Sequence, residues 1–430
     1  MRRWCLRLVA AAVALTTVGG GALAQQGKGE PPRSPRGGGF GIGAQIDLGA
    51  VWSALRAASP AEPDELPGHI MGVWAEDTPM DPAAVAAAVQ GELLASHALS
   101  NVGLQVALLR VPATQSQAAL ATLQHRYPNA AFGPQRIYSP SASTARAFSA
   151  AQYAAALLHA PQPAPALPMP VRIGIVDGWP DPSVGLEAHA ISLLPMVSNP
   201  AGVEHATALA CILACAPSTG WVGLARGAYL VFTAVLRNDE ANRPRSDTYT
   251  VARALDALLG RRVEVINMSL GSAPDAVLQR VIDRVLPRVR ALVSAAGNSG
   301  PQGPRPYPAT HPGVIAVAAV DADGQPWPQG TRGAHVTIAA PGVDLWLPLD
   351  GGRYFTGTSY ATPFVTAALA TRIAHGQAAT AETLCSSAKD LPPTGRDDAT
   401  GCGLLQWPST DTPRTAEGAL QTSIEKSAHR

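Results

Sequence analysis

Between residues 171 and 374, short apolar runs alternate with longer segments whose apolar positions recur at helical spacing. The run 171–176, interrupted only by Arg172, has the make-up of a strand buried on both faces. Residues 205–214 are apolar or small on nearly every side, which predicts a buried helix. Next come a strand over 228–236 and an amphipathic helix over 248–259 closed by Gly260. The pattern then gives a strand over 263–268, a helix over 275–286 and a strand over 291–295. Strand-like 314–320 and 336–339 lead to a last apolar helix after Ser359. This alternation implies an α/β fold, a parallel doubly wound sheet with helices on both faces. In such a sheet the working residues gather at the carboxyl ends of the strands.

The chain before residue 140 has a different texture. Strands are expected over 69–75, 93–98, 104–111 and 130–138, with helices over 82–90 and 116–127. The order β-α-β-β-α-β is that of a small ferredoxin-like α+β domain, bounded here as 67–140. Residues 25–66 are rich in Gly, Pro and Arg and bury little. Residues 141–169 hold a helix and a Pro-rich linker, 170–408 form the larger domain, and 409–430 are a polar tail.

Composition adds three points. The formal net charge of +1 over 430 residues gives no reason to expect nucleic acid or an anionic membrane as partner. Residues 1–24 read as an export signal: Arg2, Arg3 and Arg7, an apolar centre, then Ala22-Leu23-Ala24 before Gln25. No later segment is long and apolar enough to span a bilayer, so an exported mature chain, periplasmic or extracellular, is expected. Removal of the signal takes away Cys5 and leaves Cys211, Cys215, Cys385 and Cys402. Two disulfides are expected, with local pairs Cys211–Cys215 and Cys385–Cys402 favoured among three connectivities; a zinc site is the alternative.

Four residues stand where chemistry is expected. Asp177 ends the run 171–176, His205 opens the small-residue helix, Asn298 follows the strand 291–295 in Ala295-Ala296-Gly297-Asn298, and Ser359 sits in Gly357-Thr358-Ser359. Read singly, they are a turn aspartate, a packed histidine, a turn asparagine and a serine capping a helix. Together, Asp, His, Asn and Ser in this order on one parallel sheet resemble the subtilisin-like serine peptidases, the subtilases. The resemblance runs from about Val171 to Ala374 and includes Gly223–Ala228, Val265–Gly271, Tyr307-Pro308-Ala309 and Ala340-Pro341-Gly342.

That resemblance implies roles. Ser359 is the nucleophile, His205 its base and then the acid for the leaving amine, and Asp177 the group that orients the imidazole. Asn298 and the Ser359 N–H hold the oxyanion. Ser269-Leu270-Gly271 and Ala295-Ala296-Gly297 resemble the segments that bind an extended peptide. No cofactor is identified; structural calcium occurs in the family, but no acidic cluster names a ligand, and Asp397-Asp398 reads as a solvated turn. Two departures stand out. Ala206 replaces the glycine usual after the histidine, with a methyl that would narrow the groove or shift the helix start, and Tyr360 replaces a common methionine.

The implied function is an exported serine endopeptidase acting on polypeptides, made as a self-processing zymogen. Its small N-terminal domain would act as a propeptide that assists folding and blocks the cleft, with a cut between Tyr138 and Phe148. An inactive peptide-binding homologue, and an esterase or acyl transferase with the same triad, are the alternatives. Labelling of Ser359 by a fluorophosphonate separates the first, and paired amide and ester substrates the second.

Overall fold

A computed structural model describes residues 64–140, 143–144 and 153–409. The expected export signal, most of the Gly/Pro-rich segment, much of the expected cleavage window and nearly all the polar tail lie outside the described residues.

The N-terminal sheet is built from β1 (Glu65–Ala75), β2 (Glu92–Leu99), β3 (Leu104–Arg110) and β4 (Ala131–Pro140). Helices α1 (Pro82–Ala87) and α2 (Ser116–Arg126) complete the β-α-β-β-α-β order. The strands run antiparallel in the order β2-β3-β1-β4. Alternate residues of β1 go to opposite faces. Ile70 and Trp74 join Val85, Leu109, Leu123 and Phe132 in a core of the domain's own. Met71 and Val73, with Leu104 and Val106, belong to a second core shared with the larger domain. Helix α1 starts as the sequence indicates: Asp81 accepts the N–H groups of Ala83 and Ala84, and Pro82 follows it. It stops at Ala87 rather than 90. Gln90 takes a left-handed φ of 53°, and the Gly91 N–H returns to the Ala86 carbonyl at 3.0 Å, turning the chain into β2.

After β5 (Ser143–Thr144) and the short α3 (Tyr153–Leu157), the larger domain begins with β6 (Arg172–Asp177), β7 (Ala190–Pro195), α4 (Val203–Ala214) and β8 (Tyr229–Ala234). Small strands β9 (Arg237–Asn238) and β10 (Pro244–Asp247) precede α5 (Thr248–Gly260). Then come β11 (Val265–Met268), β12 (Leu270–Gly271), α6 (Ala276–Val285), β13 (Ala291–Ala295), β14 (Ile315–Val320) and β15 (Val336–Pro341). The hairpin β16 (Leu345–Leu347) and β17 (Arg353–Thr356), then α7 (Thr358–Ala374) and α8 (Ala381–Cys385), finish the described chain.

The main sheet is parallel, in the order β15-β14-β13-β11-β6-β8-β7. From β6 the chain goes to the edge strand β7 and back to β8 on one side, and later resumes at β11 on the other. The crevice at the carboxyl ends of β6 and β11 is therefore the switch point where such folds place their sites. Helices α4 and α7 cover one face, where Leu209, Phe364 and Leu369 cluster with Ile173, Val265, Val293 and Ile338. Helices α5 and α6 cover the other, where Leu255, Leu258 and Val281 cluster with Val176, Ile266 and Leu292. Gly174 keeps that second face close: a Cβ there would lie 2.9 Å from Leu258. Because Met71, Val73 and Val106 belong to the same cluster, α5 and α6 are packed between two sheets.

The edge strand β7 and the short strands β9, β10, β12, β16 and β17 were not in the sequence pattern. The cysteines pair as Cys211–Cys215 and Cys385–Cys402. Helix α3 and the segment after it belong to the main core: Ala154, Leu158, Ala160 and Ala164 are buried in it.

Candidate active site

The site is assembled at strand ends. β17 delivers the chain to Gly357, whose φ of 151° lies where side chains are strongly disfavoured, and α7 begins at Thr358. Ser359 is therefore the second residue of the helix and not its cap; Gly357 is the N-cap, and no side chain caps the helix. Helix α7 is buried from Thr358 to Thr371, so the serine stands on a rigid element. Pro363 matters here. It lacks the N–H that would normally reach the carbonyl four residues back, which is that of Ser359. The Ser269 hydroxyl donates to this carbonyl instead, at 3.0 Å. In return the Ser359 hydroxyl donates to the Ser269 carbonyl, also at 3.0 Å. Asn267 Nδ2 donates to Ser269 Oγ, and Thr366 Oγ1 donates to Asn267 Oδ1, each at 3.0 Å. A buried chain of side chains thus ties β11 to the turn of helix below Ser359.

Asp177, at the end of β6, is fully buried. It receives the Gly178 N–H at 2.7 Å on Oδ1, and His205 Nδ1 lies 2.9 Å from each of its oxygens. An ionised carboxylate only accepts, so Nδ1 carries the proton and Nε2 of the neutral ring carries the lone pair. His205 Nε2 is buried without a hydrogen-bond partner among the described residues. The approach of α4 to this turn requires glycine at 178, because a Cβ there would fall 2.3 Å from the Ala201 carbonyl oxygen. Gly202, in a left-handed conformation at φ 71°, starts the helix. Tyr360 packs its ring 5.3 Å from the His205 imidazole and 5.2 Å from Phe355. Burial, followed by the negative Glu204 and Asp177, raises its phenol far above the ordinary range, so it serves as neutral packing.

Asn298 follows β13. Its Oδ1 accepts the Thr358 hydroxyl at 2.7 Å and the Thr358 N–H at 3.1 Å. These two donors fix the rotation of the amide, and Nδ2 is left buried with no partner among the described residues. Thr358 also accepts the Gly297 N–H at 3.1 Å. These contacts were not read from the sequence, although the place of Thr358 between Gly357 and Ser359 was in view. Nor was the contact of His335, whose Nε2 donates to the Ala296 carbonyl at 3.0 Å, and whose ring pKa is lowered by burial.

Of the expected peptide-binding segments, Leu270 and Gly271 pair with a strand of the chain itself, and Gly271 and Gly297 line a cavity beside that strand. Ser139 and Pro140 of β4 pair antiparallel with Gly271 and Leu270 of β12, while Ile137 and Tyr138 pair with Asp247 and Ser246 of β10. β4 therefore runs between two strands of the larger domain. A cavity of about 300 Å³ beside it is lined by Pro140, Gly271, Gly297, Asn298 and Pro306, among others. The Pro306 ring closes against both glycines: an added Cβ would meet it at 2.8 Å from Gly271 and 2.9 Å from Gly297.

Two expectations change or sharpen. Ala206 is fully buried in the core under α4, so its methyl does not narrow the groove. Asp397 accepts from the Ala399 and Thr400 N–H groups and the Thr400 hydroxyl, which makes it a turn former. Among the described residues no group of three His, Cys, Asp or Glu side chains is placed to hold a metal ion, so no calcium ligand is assigned.

A family model for the subtilase family matches residues 197–403, a span that holds His205, Asn298 and Ser359 and begins after Asp177. The thermostable alkaline protease of Halalkalibacterium halodurans is 36% identical over 202 residues, 45% of this chain and 54% of that protein. Subtilisin E of Bacillus subtilis is 32% identical over 213 residues, 46% of this chain and 54% of that protein. The chain thus spans about half the length of these two relatives. Subtilisin of Bacillus pumilus is 32% identical over 213 residues, 46% of this chain and 75% of that protein. The solved structure of fervidolysin from Fervidobacterium pennivorans, a keratinolytic enzyme related to subtilisin, matches with a TM-score of 0.65 at 19% identity. It covers 81% of this chain and 61% of that one, a likeness of fold. With the parallel sheet, the ordered motifs and a subtilisin followed over 75% of its length, the chain belongs to the subtilase family.

Proposed function

We propose that this chain is an exported serine endopeptidase, made as a zymogen that cuts itself. The observation that favours peptide bonds over simple esters is the strand in the cleft: β4 is held by backbone pairing on both sides, as a polypeptide substrate would be. Ser359 Oγ attacks the carbonyl carbon, and His205 Nε2 takes its proton. Asp177 holds the imidazole and stabilises the imidazolium. Asn298 Nδ2 and the Ser359 N–H stabilise the oxyanion. His205 then gives the proton to the leaving amine, and water hydrolyses the acyl-enzyme by the reverse sequence. Ser269-Leu270-Gly271 and Ala295-Ala296-Gly297 act as the substrate walls.

The register suggests which bond is cut. Ser139 faces Gly271 and Pro140 faces Leu270, and Ser269, the next residue of that segment, has the carbonyl that receives the Ser359 hydroxyl. On the far side the chain resumes with Ser143 opposite Thr356. The bond between Ser141 and Ala142 is therefore the expected cut, and the domain before it the propeptide. Incubated purified chain should yield a new N-terminus at Ala142, read by mass spectrometry, and Ser359 should be labelled by a fluorophosphonate. An intact, unlabelled chain would overturn the peptidase reading.

The oxyanion role has its own test. Asn298→Ala should lower kcat by about 10²–10³, the loss known for the corresponding donor in subtilisin, with KM little changed. Steady-state kinetics on a peptide substrate would check it; a fall in KM affinity alone would speak for a binding role.

A further inference from the structure

Tyr138 is fully buried, and its hydroxyl donates to Asp275 Oδ2 at 2.9 Å. The Thr248 hydroxyl donates to the same oxygen at 2.7 Å. Asp275 Oδ1 accepts the N–H groups of Val277 and Leu278 at 3.0 and 2.9 Å, capping α6. Four donors thus meet one buried carboxylate, matched to its lone pairs. Burial, then the negative charge of Asp275, raises the Tyr138 phenol well above its ordinary range, so the hydroxyl remains a donor. Burial also raises Asp275, against the lowering effect of its donors. The tyrosine ring shares an apolar cluster with Val251, Leu270 and Leu278.

This socket lies on the substrate path, because Tyr138 pairs with Ser246 immediately before Ser139 and Pro140 pair with β12. Resting on the peptidase reading and its register, we propose that the cleft selects substrates with tyrosine as the fourth residue before the cleaved bond. Asp275 recognises its hydroxyl, and Thr248, which donates to the same carboxylate oxygen, holds that carboxylate in place. The apolar walls alone would accept phenylalanine as well as tyrosine. The carboxylate makes the difference, since phenylalanine leaves a buried acceptor without one of its donors. A hydrogen bond to a charged group carries about 10- to 100-fold in selection.

The test uses the full-length chain, incubated until processed, and internally quenched peptides carrying its own sequence from Tyr138 to Ser143. One peptide has tyrosine in the first place, a second phenylalanine. The expected kcat/KM ratio is about 10–100 in favour of tyrosine. Asp275→Asn keeps a good N-cap but changes the acceptor, and should bring the ratio towards one. A wild-type ratio within about threefold of unity, with both peptides cut, overturns the selection and leaves the peptidase reading standing. Failure to cut either peptide or an unfolded protein overturns the peptidase reading, and this inference falls with it.

Discussion

Ser359→Ala should leave the full-length chain uncut and lower hydrolysis by about 10⁶, the size of loss known for the nucleophile in subtilisin. The replacement is small. The position is fully buried, and alanine removes the hydroxyl while keeping the Ser359 carbonyl that Ser269 bonds. The helix start, the Gly357 conformation and the Asn298–Thr358 contacts do not depend on that hydroxyl. The variant should therefore melt close to the parent, and the missing activity would be chemical in origin. Two measurements decide it: the N-terminal mass of the incubated protein, and hydrolysis of an unfolded protein substrate. A variant that still produced a chain beginning at Ala142 in pure solution would remove Ser359 from the nucleophile's role.

Asp177→Asn should lower the rate of self-cleavage by about 10⁴ while leaving the fold in place. The argument rests on which atom faces the histidine. The Gly178 N–H holds Oδ1 at 2.7 Å, and an asparagine would put its carbonyl oxygen there, the only end able to accept. Its NH₂ then takes the place of Oδ2, 2.9 Å from His205 Nδ1. Two donors cannot face each other, so the ring takes the tautomer with the proton on Nε2 and loses its function as a base. The rate of appearance of the cut chain reports the effect. A loss below tenfold would mean that Asp177 acts by packing alone.

How far the sequence revealed this arrangement depends on how local each signal is. The strand ending at Asp177 and the helix after Gly357 are long, uniform stretches whose period is visible in the chain. Asp177, His205, Asn298 and Ser359 were found because each closes or opens such a stretch. Strands β10 and β12 were hidden for the opposite reason: they have four and two residues, and their strand character comes from pairing with β4. Ser359 looked like a helix cap because serine favours that position, but the unusual φ of Gly357 places the cap two residues earlier. The use of Pro363 to free the Ser359 carbonyl was not legible, since its partner, Ser269, is 90 residues away. Tyr138 and Asp275, 137 residues apart, were invisible as a pair.

The strand β4 is anchored on one side of the proposed cut and β5 on the other. β4 is held by β10 and β12 and is continuous with a sheet whose apolar residues share a core with α5 and α6. β5 is held by β17. Severing the covalent link between them would therefore release neither end. Under the proposed self-processing, maturation would have two clocks. The first would be a single-molecule event, indifferent to protein concentration. The second would be the departure of a tightly seated fragment, which the first liberated molecules would hasten by digesting it. Onset of activity in a population would be set by that slower second step, and would be abrupt once it began.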